Sequence, residues 1–160
     1  HRAWFDAEYV SRASGGKMIY HRRKYEYFHN FAYWVISDRA GYMGNDEDEL
    51  SNITMYFHFS NLSIELDGLV ARTCFSDGPN LAIFPLYKDV VGGSSAGIDA
   101  KINTGWVSSR YGVQEKAPIL QYSMLSNRQN AMKTILLPFY DRLEFDSRCS
   151  EVLQSQRKGY

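Results

Sequence analysis

The chain has 160 residues, 44% hydrophobic and 22% charged, which describes a folded globular protein and excludes a disordered one. Eighteen Lys and Arg balance eighteen Asp and Glu, so no global field draws it to nucleic acid or a membrane surface, and neither is expected as a partner. Length and even composition point to one domain over residues 1–160, and twelve Tyr, nine Phe and three Trp favour pleated sheet.

In chain order, Met18 to Phe28 reads as a strand beside Phe31 to Ile36, an apolar run that fits a central strand buried on both faces and ended by Ser37-Asp38. Gly41 to Glu49, with the acidic run Asn45-Asp-Glu-Asp-Glu, reads as an exposed loop. Alternation is strict from Ile53 to Ser60, where Ile53, Met55, Phe57 and Phe59 oppose Thr54, Tyr56, His58 and Ser60. It resumes with Leu62, Ile64 and Leu66, and Asp67-Gly68 supplies a two-residue hairpin turn to a returning strand at about Leu69 to Phe75. Leu81 to Tyr87, Ala117 to Leu125 and Ala131 to Leu137 read as further short strands, with Val91 to Gly97 a flexible loop. Strands and turns at this density predict an all-β fold, an antiparallel β-sandwich. Residues 141–160 form a tail in which Ser147 to Gln156 suits a short helix by propensity, with too few periodic apolar residues to specify one.

No stretch approaches the roughly 20 apolar residues that span a bilayer, and no leader with a small-residue cleavage site is present. The start at His1 suggests a mature or excised fragment. Cys74 and Cys149 have no zinc spacing; one bridge or two thiols both fit. The loop at Gly92 lacks the Gly-Lys-Ser/Thr ending of a phosphate-binding loop, the acidic run at Asp46 lacks calcium-loop spacing, and His1, His21, His29 and His58 form no metal motif. No cofactor and no metal are expected, and no GxSxG marks a nucleophile.

Two constellations stand out. His21-Arg22-Arg23-Lys24, followed by Tyr25, Tyr27 and His29, gathers cations and rings; in a strand His21, Arg23, Tyr25 and Tyr27 share a face, where guanidinium groups grip carboxylate or sulfate. The alternative is a solvated face with cross-strand acid partners. Gly105-Trp-Val-Ser-Ser-Arg-Tyr-Gly112 reads as a sugar-facing loop or a structured turn. Candidate ligand contacts are therefore His21, Arg23, Trp106, Arg110 and Tyr111.

The succession Tyr33-Trp-Val-Ile-Ser-Asp38, Met55-Tyr-Phe-His-Phe59, Gly105 to Gly112, Ala117-Pro118 with Leu120 and Tyr122, and Thr134-Ile-Leu-Leu-Pro138 resembles the C-terminal half of the β-sandwich in heparinase II/III-type lyases, over about Met18 to Phe139. The resemblance implies a periplasmic or secreted parent in which a helical toroid and this sandwich flank a cleft where uronate-containing polysaccharide is cleaved by β-elimination. An acidic polysaccharide and the parent's toroid are the implied partners. The chain departs from that pattern: the toroid with its Asn/His and Tyr, and the His-rich strands that open the sandwich, are absent from these 160 residues. No catalytic role is carried onto any residue here, and the isolated chain is expected to be inactive. A carbohydrate-binding module and a structural scaffold are the alternatives.

Overall fold

The computed structural model describes residues 2–12, 16–43, 51–60, 62–86, 97–126 and 131–157. Ten strands are defined within them: β1 (Arg2–Arg12), β2 (Met18–Phe28), β3 (Tyr33–Met43), β4 (Ser51–His58), β5 (Ile64–Asp67), β6 (Val70–Thr73), β7 (Asn80–Pro85), β8 (Ile98–Arg110), β9 (Val113–Ser126) and β10 (Met132–Phe139). One helix follows, α1 (Arg142–Arg157). A seven-stranded sheet runs β1-β2-β3-β10-β7-β6-β5, and a three-stranded sheet runs β4-β9-β8. The strand pairs are antiparallel, giving the all-β sandwich that the alternation implies.

The two sheets close on a core of Met55, Ala71, Ile83, Ile98, Leu120, Tyr122 and Met132. Leu66, Leu69, Leu81 and Leu136 pack against it, so the small sheet covers the β10-β7-β6-β5 half of the large one. No residue of β1, β2 or β3 enters this core. Tyr122 is fully buried, and its hydroxyl lies 2.7 Å from the Leu69 carbonyl and 2.8 Å from that of Ile83, so the phenol satisfies its donor inside the sandwich.

A second core lies on the other side of the large sheet, where Phe28, Tyr33, Val35, Phe84, Ile135 and Leu137 meet Phe145 and Val152 of α1. The helix is longer than the tail suggests. Its start is a reciprocal cap: the Glu144 amide donates to Asp141 Oδ1 at 2.9 Å, and the Tyr140 amide donates to Glu144 Oε2 at 2.7 Å. Arg148 then binds the helix to the sheet, donating to the carbonyls of Phe31 (2.7 Å), Ala32 (3.2 Å) and Pro138.

Several local expectations are corrected. Phe31 and Ala32 belong to the β2–β3 turn, where Ala32 takes a positive φ of 47°, and Trp34 stays 40% exposed, so the apolar run is not a strand buried on both faces. Gly41 to Met43 continue β3 and are not loop; residues 44–50, with the acidic run, lie outside the described residues. The β5–β6 turn is Gly68-Leu69, because Asp67 pairs with Val70; Gly68, at φ 58°, leads the loop as a type II′ turn demands. The Val91 to Gly97 run falls outside the described residues except for Gly97. Cys74 and Cys149 are free thiols, Cys74 exposed and Cys149 packed against the helix-side core.

Candidate functional site

The inner face of the large sheet is exposed along β1, half-exposed along β2 and closed at Ile36 and Asp38 of β3, and it holds the first of the two constellations. Residues of period two along β2 share this face: His21, Arg23, Tyr25 and Tyr27. Tyr9, Ala7, Phe5 and Ala3 of β1 stand opposite them, as do Ala40, Asp38, Ile36 and Trp34 of β3. Phe5 and Tyr9 remain 61% and 62% exposed, which matches the lack of any β1 or β2 residue in the inter-sheet core. Rings line the surface in contact with one another. Phe5 and Tyr25 are 6.3 Å apart between centroids, and Tyr27 lies 4.7 Å from both Trp34 and His29. The alanines at 3, 7 and 40 keep the floor low between them.

At the centre of the face is Asp38, 1% exposed. Its Oδ1 accepts from Arg23 Nε at 2.6 Å and lies 2.8 Å from His21 Nε2. Its Oδ2 is buried with no hydrogen-bond partner among the described residues. Burial works against the Arg23 charge, yet the hydrogen bond and the negative charge of Asp38 outweigh it, and the guanidinium pKa is raised. Arg23 also stacks over the Tyr25 ring, 5.9 Å from its centroid. The buried carboxylate thus anchors two half-exposed nitrogen side chains by one edge each. Arg23 Nη1 lies 3.5 Å from the Tyr25 hydroxyl, and the half-exposed guanidinium and imidazole keep further nitrogens that suit an anionic or hydroxyl-bearing ligand.

The second constellation is not a loop. Gly105 to Arg110 continue β8, and only Tyr111-Gly112 turn, with Gly112 at φ 77° and a bulge between Val107 and Arg110. Ile98, Ala100, Ile102, Thr104 and Trp106 lie on the core-facing side, since their partners across the ladder include Tyr122 and Leu120. The core ends before Trp106, which is 63% exposed opposite Lys116, and Tyr111 at the tip is fully exposed. The hairpin therefore projects past the sandwich with Trp106, Arg110 and Tyr111 on it.

These two groups sit in different sheets. Among the described residues no hydrogen bond, ion pair or ring contact joins His21 or Arg23 to Trp106, Arg110 or Tyr111. Sequence reasoning missed Phe5, Tyr9 and Asp38. The β1 residues show no alternation, being exposed on both faces of an edge strand, and Asp38 was read as a strand terminus. A Ser-Asp pair inside an otherwise continuous strand was the available signal. No group of three His, Cys, Asp or Glu side chains among the described residues is placed to hold a metal ion, and no described helix is long and apolar enough to cross a membrane.

Neither a family model nor a curated relative matches the chain. Solved structures do. Heparan sulfate lyase HepC from Pedobacter heparinus superposes with a TM-score of 0.61 at 18% identity, over 86% of this chain and 20% of that one. Heparinase III, the BT4657 gene product, gives 0.58 at 17% identity over 85% of this chain and 22% of that one. A further heparinase III gives 0.59 at 14% identity over 86% and 22%. The fold is thus the antiparallel β-sandwich seen in heparinase III structures, and the chain spans about a fifth of the length of those proteins.

Proposed function

We propose that this chain is the β-sandwich portion of a heparinase-like polysaccharide lyase, itself non-catalytic, whose exposed β1-β2 face holds an acidic polysaccharide beside a helical domain of the same parent. The observation that carries the reading is the shared fold over 86% of the chain with a heparan sulfate lyase. The open face adds a chemical reason: Arg23 and His21 are fixed by Asp38 beside exposed Phe5 and Tyr9, which suits a carboxylated or sulfated sugar that stacks and ion-pairs at once. The projecting hairpin with Trp106, Arg110 and Tyr111 supplies a second contact. The parent acts in the periplasm or outside the cell, where such polymers, heparan sulfate or alginate among them, are met.

β-Elimination needs a group that neutralises the uronate carboxylate and a base that removes the proton beside it. The arrangement at Asp38 offers the first kind of group, while the neighbouring His21 and Tyr25 are engaged by Asp38 and Arg23, so the base is assigned to the helical domain of the parent. The isolated chain should therefore bind heparan sulfate oligosaccharides in calorimetric titration, release no unsaturated uronate absorbance, and lose affinity on Arg23→Gln. Binding unaffected by Arg23→Gln and Arg110→Gln together, or equal binding of a neutral glucan, would defeat the acidic-ligand reading. The latter result would favour the alternative of a general carbohydrate-binding module, to which the exposed rings of Phe5, Tyr9 and Trp34 also conform. Formation of unsaturated product would defeat the non-catalytic assignment.

A further inference from the structure

The helix-side face of the large sheet carries a charge arrangement that the open inner face does not explain. Arg22, Lys24 and Glu26 of β2 point to this side, and with Asp6 of β1, Ser37 and Arg39 of β3, Lys133 of β10 and Ala131 just before it they line a cavity of about 290 Å³. The strand register dictates the grouping. Arg22 stands directly opposite Arg39, and Lys24, Ser37 and Lys133 form one row across three strands. The apolar part of the face ends at Val35 and Ile135, which α1 covers, so the cavity begins where the helix-side core stops.

Four cations thus share one concavity with two carboxylates, and both carboxylates are already engaged. Asp6 Oδ1 accepts from Arg22 Nε at 2.9 Å, and Glu26 Oε1 lies 3.0 Å from Lys24 Nζ and 3.4 Å from Arg2 Nε. Arg39 and Lys133, both exposed, form no ion pair among the described residues. Placing Arg22 and Arg39 side by side is unfavourable in itself, since like charges directly across a ladder repel. The same charges act on Asp6. Its carboxyl is held below the ordinary value, first by the Arg22 hydrogen bond and then against burial by the charges of Arg22, Lys24 and Arg39.

We propose that this cavity is an anion site for a tetrahedral oxyanion, a sulfo or phospho group, held between Arg39 and Lys133 with the Ser37 hydroxyl as a further donor. Guanidinium and ammonium on adjacent strands offer diverging donors to three oxygens, and the small Ala131 side chain leaves room on the fourth side. The site lies on the opposite side of the sheet from Asp38, so it stands whether or not the inner face binds polysaccharide. The anion's source is either a free ion or a group esterified to a sugar.

The test is an amide-resolved NMR titration of the chain with sodium sulfate, with ionic strength held constant by sodium chloride. A parallel arm uses glucosamine 6-sulfate, with glucosamine as control. Saturable shifts at Ser37, Arg39 and Lys133 are expected, weakened at least about tenfold in Arg39→Gln/Lys133→Gln and unchanged in Lys101→Gln, an exposed cation of the other sheet. Lys133→Gln alone, at an exposed position, should weaken binding severalfold and decides the matter if the double variant folds poorly. Tighter binding of the ester than of inorganic sulfate supports a sugar-borne group, and the reverse supports a free ion. Linear shifts without saturation, or saturation unchanged by Lys133→Gln, would overturn the proposal.

Discussion

Arg23 donates its Nε hydrogen to Oδ1 of Asp38 across 2.6 Å, joining neighbouring strands through a carboxylate that is 1% exposed. Removing one member of a fully buried pair costs about 3–5 kcal/mol. Here Arg23 and His21 both reach solvent and rehydrate when released, so Asp38→Ala should lower stability by only about 2 kcal/mol. Asp38→Asn, which keeps an acceptor, should cost less. Urea denaturation of both variants measures this, and a loss under about 0.5 kcal/mol for Asp38→Ala would mean that the carboxylate contributes nothing to the sheet.

Alkaline stability should depend on Tyr122. Burial pushes its phenol well above the ordinary value of 10.0. A folded-state pKa above the unfolded one means that the proton is retained on folding, so this contribution is complete below pH 10.0 and is lost as pH rises toward the folded value. Burial raises the Cys149 thiol above 9.0 and acts in the same direction. Tyr122→Phe should cost about 1 kcal/mol at neutral pH through the lost hydrogen bond. It should also show a shallower decline above pH 10 than the parent chain, and identical slopes would contradict the assignment.

The helix is held by Arg148 as much as by its apolar residues. Its guanidinium meets the carbonyls of Phe31, Ala32 and Pro138, and its side chain is only 21% exposed. Arg148→Ala strips a charged donor from three acceptors and should destabilise by about 1.5–3 kcal/mol. Arg148→Lys should recover little, because one ammonium cannot span the same fork. Thermal unfolding of the two variants gives the comparison.

At the root of the projecting hairpin, the Ile119 side chain lies across Gly105, and a Cβ added there would stand 2.7 Å from Ile119 Cγ1. Gly105→Ala should cost about 1–3 kcal/mol by overpacking. Adding Ile119→Ala should give a double variant less destabilised than the two single losses predict, since the clash vanishes with the side chain. Additive losses would show that the glycine serves only the backbone.

The all-β class, most strand positions and the separation of faces in β2 and β4 follow from period-two alternation, because one-sided burial leaves its mark on every second residue. So did the basic and aromatic membership of His21 to Tyr27. What alternation cannot show is where one sheet ends over another. That decided the candidate surfaces: the small sheet stops short of β1, exposing Phe5 and Tyr9, and the inter-sheet core stops short of Trp106 on β8, with no change of pattern in either strand. The helix start was legible in Asp141 and Glu144, whose spacing is that of a capping box, although the apolar periodicity beyond them is weak. The meeting of Asp38 with His21 and Arg23, and of Ser37 and Arg39 with Lys133, was decided by register alone. A slip of one residue between β2 and β3 would turn each side chain to the other face, and only the folded ladder, with its cores on both sides, selects the pairing that brings these charges together.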